Sequence, residues 1–194
     1  MKVFGLTGSV GMGKSVAASL LRRMGVAVHD SDAAVHQALS PRGLGFTAVA
    51  LAFPEAWDRK NHVIDRRKLG DIVFKDPVKK QKLEALLHPL VQQSQMQFIA
   101  KARRMGLKKV VLDIPLLYET HAEKRCDKVM VVTAPYFLQR RRVLSRRNMT
   151  EEKFFAILGA QVPDIIKRRR ADAVIPTGLG RAMTYLRLKK FINS

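Results

Sequence analysis

The chain has 194 residues, 47% hydrophobic and 27% charged, and its 36 Lys/Arg against 16 Asp/Glu give a formal charge of +20. That length suits one α/β domain with one or two insertions, and the balance excludes a disordered chain. The lone Cys126 excludes an internal disulfide, no run approaches the ~18 apolar residues of a membrane span, and the first residues enter a strand instead of a signal peptide, so a reducing, cytoplasmic location is expected.

The first apolar run, residues 2–7, predicts a buried strand ending in Thr-Gly. Residues 15–24 have helical spacing and stop at Gly25. A second strand is expected at 26–29, then helices at 32–39 and 45–53 and a loop over 54–62. Helices follow at 66–74 and 78–88, and Pro89 is read as starting another that runs to about 104. Strands are expected at 109–113, 128–133 and 173–175. Between and after them lie helices at 135–147, 150–161 (with Thr150 as N-cap) and 181–192. Short apolar strands alternating with helices predict a parallel sheet covered on both faces. The whole chain, 1–194, is read as one domain, with residues 41–104 as a helical insertion and 136–165 as a smaller basic one.

Residues 8–15, Gly8-Ser9-Val10-Gly11-Met12-Gly13-Lys14-Ser15, match GxxxxGK[ST] between a predicted strand and a predicted helix. The glycines let backbone N–H groups curl around phosphate oxygens, and the helix adds its positive end. Lys14 then reaches the β/γ-phosphates and the Ser15 hydroxyl ligates Mg²⁺. The loop indicates a nucleoside triphosphate without fixing the reaction. The chain lacks the Asn-Lys-x-Asp and Asp-x-x-Gly strings of a GTPase. Its small size and inserted segments point to a small-molecule kinase.

Asp30-Ser31-Asp32 follows the second strand, where ligands of open α/β sheets bind. A carboxylate there can orient and deprotonate an acceptor hydroxyl, and Asp32 is the preferred base; Asp30 serves equally well as a helix cap. Asp113 closes the third strand as a Mg²⁺-side carboxylate, with a strand-end turn as the plainer reading. Arg142 and Arg146, four apart on a predicted helix, share a face suited to phosphoryl oxygens. Arg140, Arg141 and Arg147 read as a solvated face, and most of the run Lys167-Arg168-Arg169-Arg170 as surface. His88 fits a structural or a ligand-binding role. The histidines and Cys126 show no zinc spacing.

The charge is uneven: residues 1–100 carry 14 Lys/Arg and 8 Asp/Glu, and residues 101–194 carry 22 and 8. Such a field attracts polyphosphates and nucleic acid alike. Aromatics, at 7%, do not interleave with the basic runs, so no base-stacking platform is evident.

Together these strings resemble the dephospho-CoA kinase family in family order. They are Gly5-Leu6-Thr7-Gly8 into the loop, Asp30-x-Asp32, Ile64-Asp65-Arg66, Leu69, Val73-Phe74, Leu83-Glu84, His88-Pro89, Asp113-Ile114-Pro115-Leu116-Leu117-Tyr118-Glu119, Gln139, Arg142, Arg146, Gln161 and Ala171-Asp172-x-Val174-Ile175. The resemblance implies a P-loop kinase fold with a five-stranded parallel sheet, helices on both faces, a CoA-side helical insertion and a lid. It implies transfer from ATP, with Mg²⁺, to the ribose 3′-hydroxyl of dephospho-CoA. Nucleotide contacts fall to Gly8, Val10, Gly11, Met12, Gly13, Lys14, Ser15 and Val16. Acceptor contacts fall to Asp32, Arg66, His88, Pro115, Leu116, Leu117 and Arg146. Lys14, Asp32 and Arg142 take catalytic roles, and Ser15 and Asp113 the metal. Val16 replaces a frequent Thr, and Thr177-Gly178 stands where many members have Asn-x-Gly. A monomer needing neither membrane nor nucleic acid is expected. A shikimate-type kinase lacks support, since its Gly-Gly-Gly string does not occur here. A basic RNA-binding protein leaves the loop and the strand-end carboxylates unexplained.

Overall fold

In chain order the elements are β1 (Lys2–Thr7), α1 (Lys14–Arg23), β2 (Ala27–Asp30), α2 (Ser31–Ala38), α3 (Phe46–Ala52), β3 (Trp57–Asp58), β4 (Val63–Ile64), α4 (Arg66–Lys75), α5 (Pro77–Arg104), β5 (Lys109–Asp113), β6 (Lys128–Thr133), α6 (Tyr136–Leu144), α7 (Glu151–Gly159), α8 (Asp164–Arg170), β7 (Ala173–Pro176) and α9 (Arg181–Ile192). This computed structural model describes residues 1–194. The chain forms two units, one of Met1–Asp30 with Lys101–Ser194 and one of Ser31–Ala100.

The first unit holds a parallel five-stranded sheet in the order β2-β5-β1-β6-β7. Its central strands are buried on both faces, so Val110, Val111 and Leu112, or Met130, Val131 and Val132, run apolar without alternation. Phe4, Leu6, Val111, Met130 and Val132 pack with Leu20 and Leu21 of α1 and Leu188 and Ile192 of α9. The register pairs Leu6 and Asp30 with Asp113, so the carboxyl ends of β1, β2 and β5 come to one sheet edge.

The second unit packs Phe46, Val49, Phe53, Leu69 and Leu87 into its own core. Asp65 caps α4 by accepting from the Arg67 and Lys68 amides at 3.0 and 3.2 Å. Asp76 does the same for Val78 and Lys79, at 2.9 and 3.1 Å, at the head of α5. Each such cap is worth about 1 kcal/mol.

Four elements differ from the sequence reading, one of them α8 (Asp164–Arg170), a helix where none was expected. The loop expected over 54–62 contains a 3-10 turn at Pro54–Ala56, and Trp57 then pairs with Ile64 in the two-residue strands β3 and β4. Pro89 does not start a helix; it lies inside α5, which is continuous from Pro77 to Arg104. A proline removes one ladder bond, but Leu86, Leu87 and Leu90 dock on the core on both sides of it and carry the helix through. The helix expected over 135–147 stops at Leu144, because Asn148 turns the chain at φ 61° and Thr150 opens α7 as the predicted cap. Arg146 therefore lies beyond α6 and does not share a helical face with Arg142.

Candidate active site

Gly8–Ser15 leaves β1 and enters α1 at the sheet edge that carries Asp113. Gly11 and Gly13 have φ of 77° and 88°, where a side chain is strained. A Cβ on Gly11 would also lie 2.6 Å from Val143 Cγ2, and one on Gly13 2.8 Å from Thr177 Oγ1.

The loop is fixed through its carbonyls. Ser9 O accepts from Met12 N at 3.1 Å, and Val10 O from Gln139 Nε2 at 2.8 Å. Gly11 O accepts from Arg142 Nη1 at 3.4 Å, and Met12 O from Thr177 Oγ1 at 2.7 Å. Gly13 O accepts from Val16 N and Ala17 N. With its carbonyls engaged outward, the loop offers its other face, and the first amides of α1, to an anion. Two loop amides are engaged within the protein: Met12 N with Ser9 O, and Val10 N, which donates to Gln161 Oε1 at 3.1 Å. Met12 is buried, and its Sδ accepts from Ala134 N.

Lys14 Nζ lies 2.7 Å from Asp113 Oδ1, with side chains 16% and 4% exposed. Ser15 and Val16 open α1 with exposed side chains. Arg142 is half-buried and gives Nη1 to Thr177 Oγ1 at 3.1 Å and Nη2 to Thr177 O at 3.0 Å. Arg140 instead pairs with exposed Glu151. Asp30 stands 3.5 Å from Arg22, and burial holds the neighbouring His29 imidazole below its ordinary range.

The string after Asp113 is mostly structural. Thr7 Oγ1 donates to Pro115 O at 3.0 Å, and Thr120 Oγ1 to Leu116 O at 2.7 Å. Leu117 is fully buried, with its Cδ1 beside Gly5. Glu119 Oε1 accepts from Val162 N at 2.8 Å and meets Lys167 Nζ at 2.8 Å, as an ion pair out of hydrogen-bond alignment. Lys167 is fully buried, so it is not part of a surface run; α8, opened by Pro163 and Asp164, turns it inward. Only Arg168 and Arg169 of the expected surface run lack a named partner, since Arg170 pairs with Glu123 and stacks on Tyr118.

Asp32, Arg66 and His88 belong to the second unit, each exposed: Asp32 in the first turn of α2, Arg66 opening α4, His88 in α5. Sequence reasoning missed Thr177, whose hydroxyl joins Met12 O to Arg142. Its signal was the Thr-Gly that replaces Asn-x-Gly.

A family profile described as dephospho-CoA kinase matches residues 2–179. A dephospho-CoA kinase of Rhodospirillum rubrum is 50% identical over 178 residues, 92% of this chain and 84% of that protein. The crystal structure of TT1252 from Thermus thermophilus is 35% identical with a TM-score of 0.85, covering 99% of this chain and 96% of that one. Dephospho-CoA kinase from Campylobacter jejuni is 26% identical with a TM-score of 0.70, covering 98% and 95%. Neither the shikimate-type nor the RNA-binding reading is favoured by these likenesses. With its phosphate loop braced at the edge of a parallel sheet, and this likeness along nearly its whole length, the chain belongs to the dephospho-CoA kinase family.

Proposed function

We propose that the chain transfers the γ-phosphoryl group of ATP to the ribose 3′-hydroxyl of dephospho-CoA, giving coenzyme A and ADP, through the residues that follow. The observation that carries this reading is the phosphate loop pinned by its carbonyls, with Lys14 and Asp113 beside it. Gly8, Val10, Gly11, Met12, Gly13, Lys14, Ser15 and Val16 form the nucleotide loop. Lys14 exchanges Asp113 for the β/γ-phosphates when ATP enters. Arg142, already beside Gly11 O, stabilises the charge on the transferring group, and residues 136–165 act as a lid over it.

Ser15 and Asp113 offer a hydroxyl and a carboxylate, oxygen donors that suit Mg²⁺. No group of three His, Cys, Asp or Glu gathers to hold a metal; Ser15 and Asp113 would hold Mg²⁺ beside the nucleotide phosphates. When bound, Mg²⁺ neutralises β- and γ-oxygens. Asp32, two residues beyond the sheet-edge Asp30, orients the 3′-hydroxyl and accepts its proton. The new bond joins that oxygen to Pγ, and the bond from Pγ to the bridging oxygen breaks to release ADP.

The insertion, residues 41–104, supplies the acceptor side through Arg66 and His88. Pro115, Leu116 and Arg146 add contacts, and Leu117 supports them from the core. The enzyme works as a cytoplasmic monomer; no helix is long and apolar enough to cross a membrane. The test is an acceptor screen at physiological salt. ATP consumption with dephospho-CoA alone supports the reading, and RNA retention without turnover overturns it.

A further inference from the structure

We propose that Gln139 and Gln161 are positioning residues that set the shape of the phosphate loop before nucleotide arrives, by holding the two main-chain groups of Val10 from opposite ends of the α6–α7 segment. Gln139 Nε2 donates to Val10 O at 2.8 Å, and Gln161 Oε1 accepts from Val10 N at 3.1 Å. A carbonyl only accepts and an amide only donates, so the two side-chain orientations are fixed by their partners.

The two residues come from separate places. Gln139 is a buried residue of α6, packed where Gly11 turns: a Cβ on Gly11 would meet Gln139 O at 2.9 Å and Gln139 Cγ at 3.2 Å. Gln161 lies between α7 and α8. Its neighbour Val162 donates its amide to Glu119 Oε1 at 2.8 Å, and the same oxygen meets the fully buried Lys167 at 2.8 Å. The turn that carries Gln161 is thus anchored to the segment after β5, while Gln139 is anchored by its helix. Val10 is held between two fixed points.

The consequence is preorganisation. Val10 has both its amide and its carbonyl held by side chains, so neither group turns toward the anion-binding face. A loop held this way does not have to order itself when phosphates bind. Each brace is one neutral hydrogen bond, so its loss should weaken nucleotide binding by about two- to tenfold. Because both act on one residue, the second loss should cost less than the first.

This inference rests on the reading of residues 8–15 as the phosphate loop, and its test separates the two. Amide exchange of Val10 is measured residue by residue in the nucleotide-free protein, and Mg·ADP affinity and ATP kinetics alongside. Gln161→Met should speed Val10 exchange, and both Gln161→Met and Gln139→Met should raise KM for ATP more than they lower kcat. Gln161→Glu keeps an acceptor and should restore Val10 protection. Gln139→Glu has no donor and faces a carbonyl, so it should not restore ADP affinity. These isosteric variants carry the comparison if a methionine variant does not fold. Wild-type ADP affinity in both methionine variants overturns the proposal, as does unchanged Val10 exchange in Gln161→Met. Failure of the phosphate-loop reading itself shows separately, as Lys14→Ala that binds ADP normally.

Discussion

Lys14 Nζ and Asp113 Oδ1 lie 2.7 Å apart, so the ammonium proposed for ATP already neutralises the strand-end carboxylate. That pair has two separable consequences. Lys14→Ala should nearly abolish turnover, because no other side chain of the loop carries a positive charge to the β/γ-phosphates. It should also lower stability by about 1.5–3 kcal/mol, because Asp113 loses a charged partner while buried. Adding Asp113→Asn should recover part of that stability and none of the turnover. Denaturant midpoints and steady-state kinetics read the two effects. Turnover within a few-fold of wild type in Lys14→Ala would sink the phosphate-loop reading.

The basic segment gives a contrast between neighbours. Arg142 reaches Thr177 and Gly11 O, whereas Arg140 pairs with exposed Glu151. An exposed pair is worth roughly 0–1 kcal/mol. Arg140→Ala should therefore leave turnover within about twofold, since it removes only such a pair. Arg142→Ala should lower turnover by about 10²–10³-fold if it stabilises transferred charge. Equal kinetics of the two variants would reduce Arg142 to a structural tie.

Asp32 and Asp30 separate by the same logic. Asp30 ends β2 beside Arg22 at 3.5 Å, and Asp32 is exposed in the first turn of α2. Asp32→Asn keeps size and removes the proton acceptor. Turnover should fall by about 10²–10⁴-fold, with ATP affinity nearly unchanged. Asp30→Asn should cost far less. The reverse order in steady-state kinetics would move the base assignment to Asp30.

Much of this was legible because the signals are local. The strand-loop-helix around Lys14 shows in apolar run, glycines and helical spacing alone, and Thr150 opens its helix and Gly25 closes its own as their chemistry dictates. What failed was decided by tertiary context. Pro89 lies mid-helix because leucines on both sides of it pack on the core. Lys167 looked like one more surface cation, yet Glu119, 48 residues earlier in the chain, draws it inside. Gln139 and Gln161 were visible as matching letters, but their common partner Val10 exists only in the folded chain.

Alkaline pH provides the last prediction. Burial pushes the Cys126 thiol up to about 12, and pushes the Tyr118 hydroxyl up to about 12 against the opposing pull of Arg170. Both groups are acids held neutral in the folded chain above their ordinary ranges of 9.0 and 10.0. From pH 9 upward the unfolded chain therefore releases its protons first, the folded chain binds more, and stability falls as pH rises. Below pH 9 this contribution is fully present; near pH 12 it is gone. Cys126→Ala removes one such proton. The stability of wild type relative to that variant should fall by about 1.4 kcal/mol per pH unit through this window. Tyr118→Phe should show the same relative trend beginning one unit higher. Urea midpoints at successive pH values measure both, and alkylation of Cys126 in the folded protein should stay slow at pH 9 because the thiolate is scarce. A stability difference independent of pH, with rapid alkylation, would show that Cys126 ionises as an ordinary exposed thiol.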